Sequence, residues 1–288
     1  MKEKKLLKLA IHKMILAFIV LTLIVISVLL YSRFIETKKL EVKEYRIKNE
    51  NFKNNLHGYK IVHISDVHYG KTTSKKELKK IVEKINLIKP NILIFTGDLI
   101  DKDTTLTKND VEEIENILSN LNEEIICYSI KGEDDLKIEN YDLIMENIGF
   151  ISLDNRYEQL YLNQTDYILI KGISTRKNKI IVEEKKELKK SAIYSILIMH
   201  EPDIVDELNY LDYDLLLAGH THGGQIVLPI MGAIKYPKYS EKYNMEYQKL
   251  NGIDFYITTG IGTTRYGFRL FNPPSFNLYR IISYWFFI

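Results

Sequence analysis

The chain opens with one apolar block and then settles into short alternating segments. Met14 to Tyr31, MILAFIVLTLIVISVLLY, runs eighteen residues without a charge. That is close to the length at which a helix crosses a bilayer. A helix apolar on every side and preceded by lysines suits a membrane better than a protein core. The bulky LLYSRFIE at its end offers no small-x-small cleavage site, so the block reads as a retained anchor rather than a removed signal. Lys2, Lys4, Lys5, Lys8 and Lys13 precede the core of the block, and Arg33, Lys38, Lys39 and Lys43 follow it. This slight bias, with a following domain long enough to translocate regardless of charge, puts the N-terminus inside and the bulk of the chain outside. Residues 1–32 are thus expected as a cytoplasmic tail and single-pass cell-membrane anchor. Residues 33–57 are expected as a charged juxtamembrane stalk, and residues 58–288 as the globular domain.

From Tyr59 the periodicity switches back and forth. YKIVHIS (59–65) is a short β-branched strand. SKKELKKIVEKINLI (74–88) places Leu78, Ile81, Val82, Ile85 and Ile88 on one helical face, with Ser74 and Glu77 as a capping box. Pro90 stops that helix, and NILIFTG (91–97) is the next strand, parallel to the first in a βαβ unit. VEEIENILSNL, EIICYSI and NYDLIMENIGF continue as helix, strand, helix. QLYLN and DYILIKGIS form a strand pair. SILIMH and DYDLLLAGH are buried strands flanking a short helix after Pro202, and GQIVLP, DFYITTG and FNLYRIISYWFF are late strands. So many strands need two stacked sheets with helices outside. The tail ISYWFFI reads as the end of the last strand, with an interfacial aromatic contact as the other reading.

Composition narrows the class. With 288 residues there is ample length for a core, and 45% apolar content argues against disorder. A net charge of +2 gives no reason to expect nucleic acid. Cys127 is the only cysteine, which excludes an internal disulfide and a cysteine zinc site.

The chemistry-bearing residues gather at strand ends. Asp66 and His68 follow the first strand, and Asp98 and Asp101 the second. Glu133, Asp134 and Asp135 follow the third. His200 ends SILIMH, and His220 and His222 end LLLAGHTH. The carboxyl ends of strands in an α/β sheet share one edge, where ligands bind. Each motif alone is an ordinary turn or a satisfied histidine, and His12, His57 and His63 lack a partner motif altogether. Five such segments on one rim form a pattern. Carboxylates gathered without a cation would repel one another, whereas carboxylates with neutral imidazoles ligate Zn²⁺, Mn²⁺ or Fe²⁺. The supply exceeds one ion's needs and suits two ions sharing Asp98, on the central strand of the set. Gly223 and Gly224 would let the backbone approach a substrate.

DVH, GDLID, GEDD, MHEP and GHTHGGQ stand in the order and spacing of the calcineurin-like metallophosphoesterases. The chain resembles their membrane-associated bacterial branch over residues 58 to 288. The resemblance implies a four-layer α/β/β/α sandwich and a metal-dependent phosphoesterase with two divalent ions. One ion would be held by Asp66, His68, Asp98 and His222, and the other by Asp98, Glu133, His200 and His220. A water bridging them would attack phosphorus. The implied substrate is a phosphodiester or pyrophosphate near the bilayer, of a lipid, a lipid-linked nucleotide or an envelope polymer. In the late segment GIGTTRYGFR, Arg265 or Arg269 is placed to meet a phosphate, with an ordinary surface arginine as the other reading.

The family's usual Gly-Asn-His-Asp or Gly-Asn-His-Glu is here Gly132-Glu133-Asp134-Asp135. Glu133 keeps an oxygen ligand at the Asn position and adds charge. Asp134 stands where a histidine usually protonates the leaving group, and an ordinary aspartate, pKa about 3.9, is a poor acid at neutral pH. Asp134 can serve only if its neighbours raise its pKa or if the leaving group needs no proton. The other reading is a metal-binding relative of weak activity, tethered to the membrane as a binding or regulatory protein.

Overall fold

In a computed structural model, which describes residues 2–49, 56–178 and 186–283, the apolar block lies within α1 (Lys2–Leu30), 29 residues and about 43 Å long. From Lys4 onward every residue of α1 is exposed, so no core among the described residues claims its Leu, Ile and Phe side chains. A widened turn at Tyr31–Ile35 and a tight one at Glu36–Lys38 carry the helix straight into the globular part. There Ser32, Glu36 and Thr37 are buried.

The segment expected as a stalk is instead built into the fold. Strand β1 (Glu41–Asn49) pairs in parallel with β14 (Ser275–Ser283), from Glu41 opposite Ser275 to Asn49 opposite Ser283. Its five charges obscured a strand. They lie on an edge strand, where charge discourages pairing with other chains, while Ile47 and Tyr45 turn into the core. Tyr284 to Ile288 of the aromatic tail lie outside the described residues.

Two six-stranded sheets follow. The first runs β1–β14–β2–β3–β4–β5, with β2 (Lys60–Ile64), β3 (Ile92–Phe95), β4 (Ile126–Ser129) and β5 (Phe150–Ser152) parallel to one another. The second contains β6 (Tyr157–Tyr161), β7 (Tyr167–Gly172), β8 (Tyr194–Met199) and β9 (Leu215–Ala218). Strands β12 (Tyr247–Leu250) and β13 (Ile253–Ile257) complete it, in the order β12–β13–β9–β8–β7–β6. A small hairpin joins β10 (Val227–Leu228) to β11 (Gly232–Ala233).

Strand alternation sorts the core into layers. Val62, Ile64, Leu93 and Phe95 face α2 (Lys75–Ile88), α3 (Lys108–Leu118) and α4 (Tyr141–Asn147), meeting Leu78, Ile81, Ile85 and Ile114. Ile61, Ile92 and Ile94 face the other way, onto Ile168, Ile170, Ile196 and Leu217 of the second sheet. The capping box forms, with Ser74 N donating to Glu77 Oε2 at 3.1 Å. The outer layer over the second sheet is thin: tight turns at Pro202–Glu207 and Tyr210–Asp212, with α5 (Lys186–Ser191) beside Tyr213. The result is an α/β/β/α sandwich. The loops after β2, β3, β4, β8 and β9 all reach one rim.

Candidate metal centre

Strained backbone marks this rim. Asp66, His68, Asp98, His220 and His222 have φ of 53, 42, 59, 66 and 50°, a left-handed region that L-residues enter at a cost of about 1–3 kcal/mol each. Bonds between the loops hold them there. Asp66 N donates to Gly97 O at 2.9 Å, His68 N to Asp98 O at 3.1 Å, and His220 N to Asp66 Oδ2 at 2.9 Å. Asp135 accepts from the N–H groups of Asp98, Leu99 and Gly132 at 2.7, 2.9 and 2.9 Å, tying the GEDD loop to the GDLID loop. Burial and the Asp98 charge push its carboxyl up to about 7, against those three donors. Gly132 fits this junction because a Cβ there would sit 2.2 Å from Asp98 Oδ1.

Three overlapping groups have ligand atoms within 4.8 Å of one another: Asp66, His68 and His222; Asp98, His200 and His220; and His68, Asp98 and Asp134. His222 Nε2 is 3.4 Å from Asp66 Oδ1, and His200 Nε2 is 3.4 Å from Asp98 Oδ2. His68 Nε2 is 3.6 Å from Asp98 Oδ2. Asp98 therefore stands between the first two groups.

The donor set fits divalent ions. His200 Nδ1 donates to the Thr96 carbonyl at 2.6 Å, and His220 Nε2 to the Lys238 carbonyl at 2.8 Å. With both rings neutral, as metal ligation requires, each ring's other nitrogen would carry a lone pair, and the two stand 3.1 Å apart. Ligands about 2.1 Å from one metal lie about 3.0–3.4 Å from each other, between right-angled and tetrahedral geometry. Asp66 Oδ1, both His68 nitrogens and His222 Nδ1 are buried with no hydrogen-bond partner among the described residues. Such orphaned groups are costly unless a cation satisfies them. Burial, then the His68 and Arg269 charges, hold His222 well below the usual imidazole range, as a neutral ligand. Burial opposes ionisation of both Asp98 and His200. Their attraction nevertheless drives Asp98 below the carboxylate range and His200 well above the imidazole range.

The remaining predicted residues lie further out. Glu133 is half-buried, outside the three tight groups, with Oε2 2.7 Å from Lys177 Nζ. Asp134 is buried behind His68, its Oδ1 2.9 Å from Lys137 Nζ and its Oδ2 3.7 Å from His68 Nδ1. Asp101 Oδ2 approaches the same nitrogen at 3.6 Å. The space that Gly223 leaves is taken by Asn272 and Thr259, each within 2.8 Å of a Cβ built there, so the protein itself fills it. Arg265 is exposed.

Arg269 is fully buried and faces no opening. Its guanidinium donates to the carbonyls of Thr259 at 2.8 Å, Gly260 at 3.0 Å, Asn272 at 3.2 Å and Gly262 at 2.7 and 3.1 Å. Burial pushes it down to about 10, still charged at neutral pH. Its four carbonyl partners frame the ligands. Cβ atoms built on Gly260 and Gly262 would each lie 2.8 Å from the Cβ of Asp66 and of His68, respectively, and Asn272 Nδ2 donates to His222 O at 2.8 Å. Nothing in the sequence distinguished this clamp from Arg265. Lys177 was also missed, because no motif marks its loop.

Two mixed, largely parallel sheets thus bring carboxylates and imidazoles together around Asp98, the donor set of a metal-dependent hydrolase. The chain belongs to the calcineurin-like phosphoesterase family, whose model matches residues 59–224, and it is a metal-dependent phosphoesterase. It is 30% identical over 230 residues to the uncharacterized metallophosphoesterase YkuE of Bacillus subtilis, covering 78% of this chain and 80% of that one. It is 24% identical over 292 residues to the UDP-2,3-diacylglucosamine pyrophosphatase LpxG of Chlamydia muridarum, covering 79% and 85%. A transmembrane protein with metallophosphoesterase domain from Danio rerio is 24% identical over 224 residues, covering 72% of this chain and 49% of that protein.

Proposed function

We propose that the protein is a membrane-anchored two-metal phosphoesterase that cleaves a pyrophosphate or phosphodiester bond in a lipid or cell-envelope substrate. The observation that carries this reading is the meeting of two donor sets at Asp98, one of which, Asp66, His68 and His222, holds buried atoms with no hydrogen-bond partner among the described residues. Asp66, His68, Asp98 and His222 would hold one ion. Asp98, His200 and His220 would hold the other, joined by Glu133 when it turns from Lys177. Two such ions supply an activated water and neutralise charge on the phosphoryl oxygens. The Thr96 and Lys238 carbonyls keep the His200 and His220 lone pairs aimed inward. Asp101 and Asp134 orient His68 from behind by attracting its Nδ1–H.

Asp134 is a positioning residue in this reading, because Lys137 and His68 already engage its carboxylate. No proton donor then serves the leaving group from the GEDD loop. A phosphate leaving group, with its second pKa about 6, departs without one. That favours a P–O–P bond over an alkyl monoester. The pyrophosphatase activity of LpxG supports the same class. The exposed apolar α1 supports the anchor, and the lysines before it support an extracytoplasmic domain.

The test is hydrolysis by the full chain in detergent with Mn²⁺, using a nucleoside-diphosphate lipid analogue, an aryl phosphodiester and an alkyl monoester, with Asp98→Asn alongside. The reading expects metal-dependent cleavage of the first two and loss of both in the variant. Preferential monoester cleavage, or activity that survives Asp98→Asn, would overturn it.

A further inference from the structure

The end of α1 is wired to the metal rim. Ser32 Oγ donates to Arg269 O at 2.7 Å, and Arg269 N donates to Ser32 O at 3.1 Å. The Arg269 side chain is the clamp described above. The next residue carries the connection outward. Leu270 N donates to Gln225 O at 3.0 Å, and Val227 N donates to Leu270 O at 2.9 Å. The β10–β11 hairpin, which starts five residues after His222, is therefore rooted on the segment that receives the helix. Helix end, metal rim and hairpin share one end of the molecule.

The tip of that hairpin breaks a local rule. Met231 N donates to Pro229 O at 2.8 Å, which makes Ile230 the centre of a three-residue turn at φ 72°. This turn is strained, and glycine or asparagine would relieve it. A β-branched residue at positive φ is an outlier. Ile230 is nevertheless fully solvent-exposed at 108%, and Met231 beside it is 81% exposed. Neither packing nor turn chemistry rewards an isoleucine there. Ile234, Tyr266, Phe271 and, at the helix end, Phe34 are also largely exposed. Apolar and aromatic side chains displayed on loops beside a membrane-spanning helix match the water–hydrocarbon interface.

We infer that the 227–233 hairpin, with Tyr266 and Phe271, is a membrane-contact surface that seats the metal rim on the lipid plane entered by α1. The occupant is the bilayer surface itself, chosen because the surface is continuous with the end of α1. The inference rests on the reading of α1 as a membrane span. It makes the centre one that takes its phosphate ester from a lipid headgroup at the interface and not from bulk solution.

Depth-dependent quenching in vesicles tests it with the full chain. Ile230→Cys and, separately, Met231→Cys would carry an environment-sensitive fluorophore, with buried Cys127 left in place. Ile24→Cys reports on the middle of the apolar block Met14–Tyr31. Leu87→Cys, 82% exposed on α2 one residue from the Ile88 carbonyl that receives Lys60 at the start of β2, reports on the opposite edge. The vesicles are phosphatidylcholine with a minority of phosphatidylglycerol, carrying nitroxides either near the headgroup or at mid-chain. The inference expects blue-shifted labels at 230 and 231 that shallow nitroxides quench, a label at 24 that deep ones quench, and no quenching at 87. Quenching at 24 with 230 and 231 behaving like 87 would overturn the contact surface and leave the anchor standing. No quenching at 24 would remove the anchor, and the inference with it. A blue shift at 230 that grows with protein concentration and ignores nitroxides would assign the surface to a second copy of the chain.

Discussion

Replacing Arg269 by methionine tests how the fold holds its ligands. The side chain is fully buried and serves four carbonyls, those of Thr259, Gly260, Gly262 and Asn272. Methionine fills similar volume and leaves those acceptors without a donor. Each buried unsatisfied group costs about 1–3 kcal/mol. Some relaxation of the 259–262 loop toward water offsets the upper part of that range, and the buried charge is relieved as well. A net loss of about 3–5 kcal/mol follows, or roughly 10 °C in melting temperature for a domain of this size. Lysine does not rescue it, because one ammonium cannot span the guanidinium's fork. The assay is urea unfolding in EDTA, followed by Mn²⁺ titration of whatever folds. Arg265→Met is the control, exposed and expected to change stability by less than about 0.5 kcal/mol. Metal affinity should fall together with stability, since the clamped loop lies against Asp66 and His68. A loss below about 1 kcal/mol would refute the clamp. A large loss of stability with unchanged metal affinity would refute its connection to the ligands.

Two further outcomes follow from the same geometry. His63 is buried between Tyr279 and Thr96, and burial pushes its imidazole down to about 3. The unfolded chain alone takes up that proton below about pH 6.5, so stability is lost as pH falls. His63 should contribute a loss of about 1.5–2 kcal/mol between pH 6.5 and pH 5, which His63→Gln should remove from the metal-free protein; an unchanged slope in urea unfolding would contradict this. Lys177→Met should free Glu133 for the second ion and raise Mn²⁺ affinity about three- to fivefold; calorimetry showing no change would mean that Glu133 is not a ligand.

Much of this architecture was legible because strand and helix periods are local. The two-faced β2, with Val62 and Ile64 on one side and Ile61 on the other, can be read directly from alternation. So can the helical face of α2 and its Ser74–Glu77 box. The ligand segments were legible for another reason: His, Asp and Glu at the ends of parallel strands have to share an edge. What escaped depends on distant partners. β1 reads as a charged tether until β14, more than two hundred residues away, pairs with it. Arg265 and Arg269 are four residues apart and alike in sequence, yet one is exposed and the other locks the rim. Left-handed φ at Asp66, His68, Asp98, His220 and His222 is imposed by bonds between loops, which no single segment encodes. The strained Ile230 was unreadable for a similar reason, since GQIVLP looks like any short strand until its turn closes.

The number of ions the protein binds tests the dinuclear centre without reference to any substrate. Full chain in detergent, stripped with chelator and dialysed against Mn²⁺, should retain two ions per chain, and Asp98→Asn should retain at most one because both donor sets lose their common carboxylate. A wild-type stoichiometry of one, or two ions retained with equal affinity in Asp98→Asn, would contradict a dinuclear centre built around Asp98.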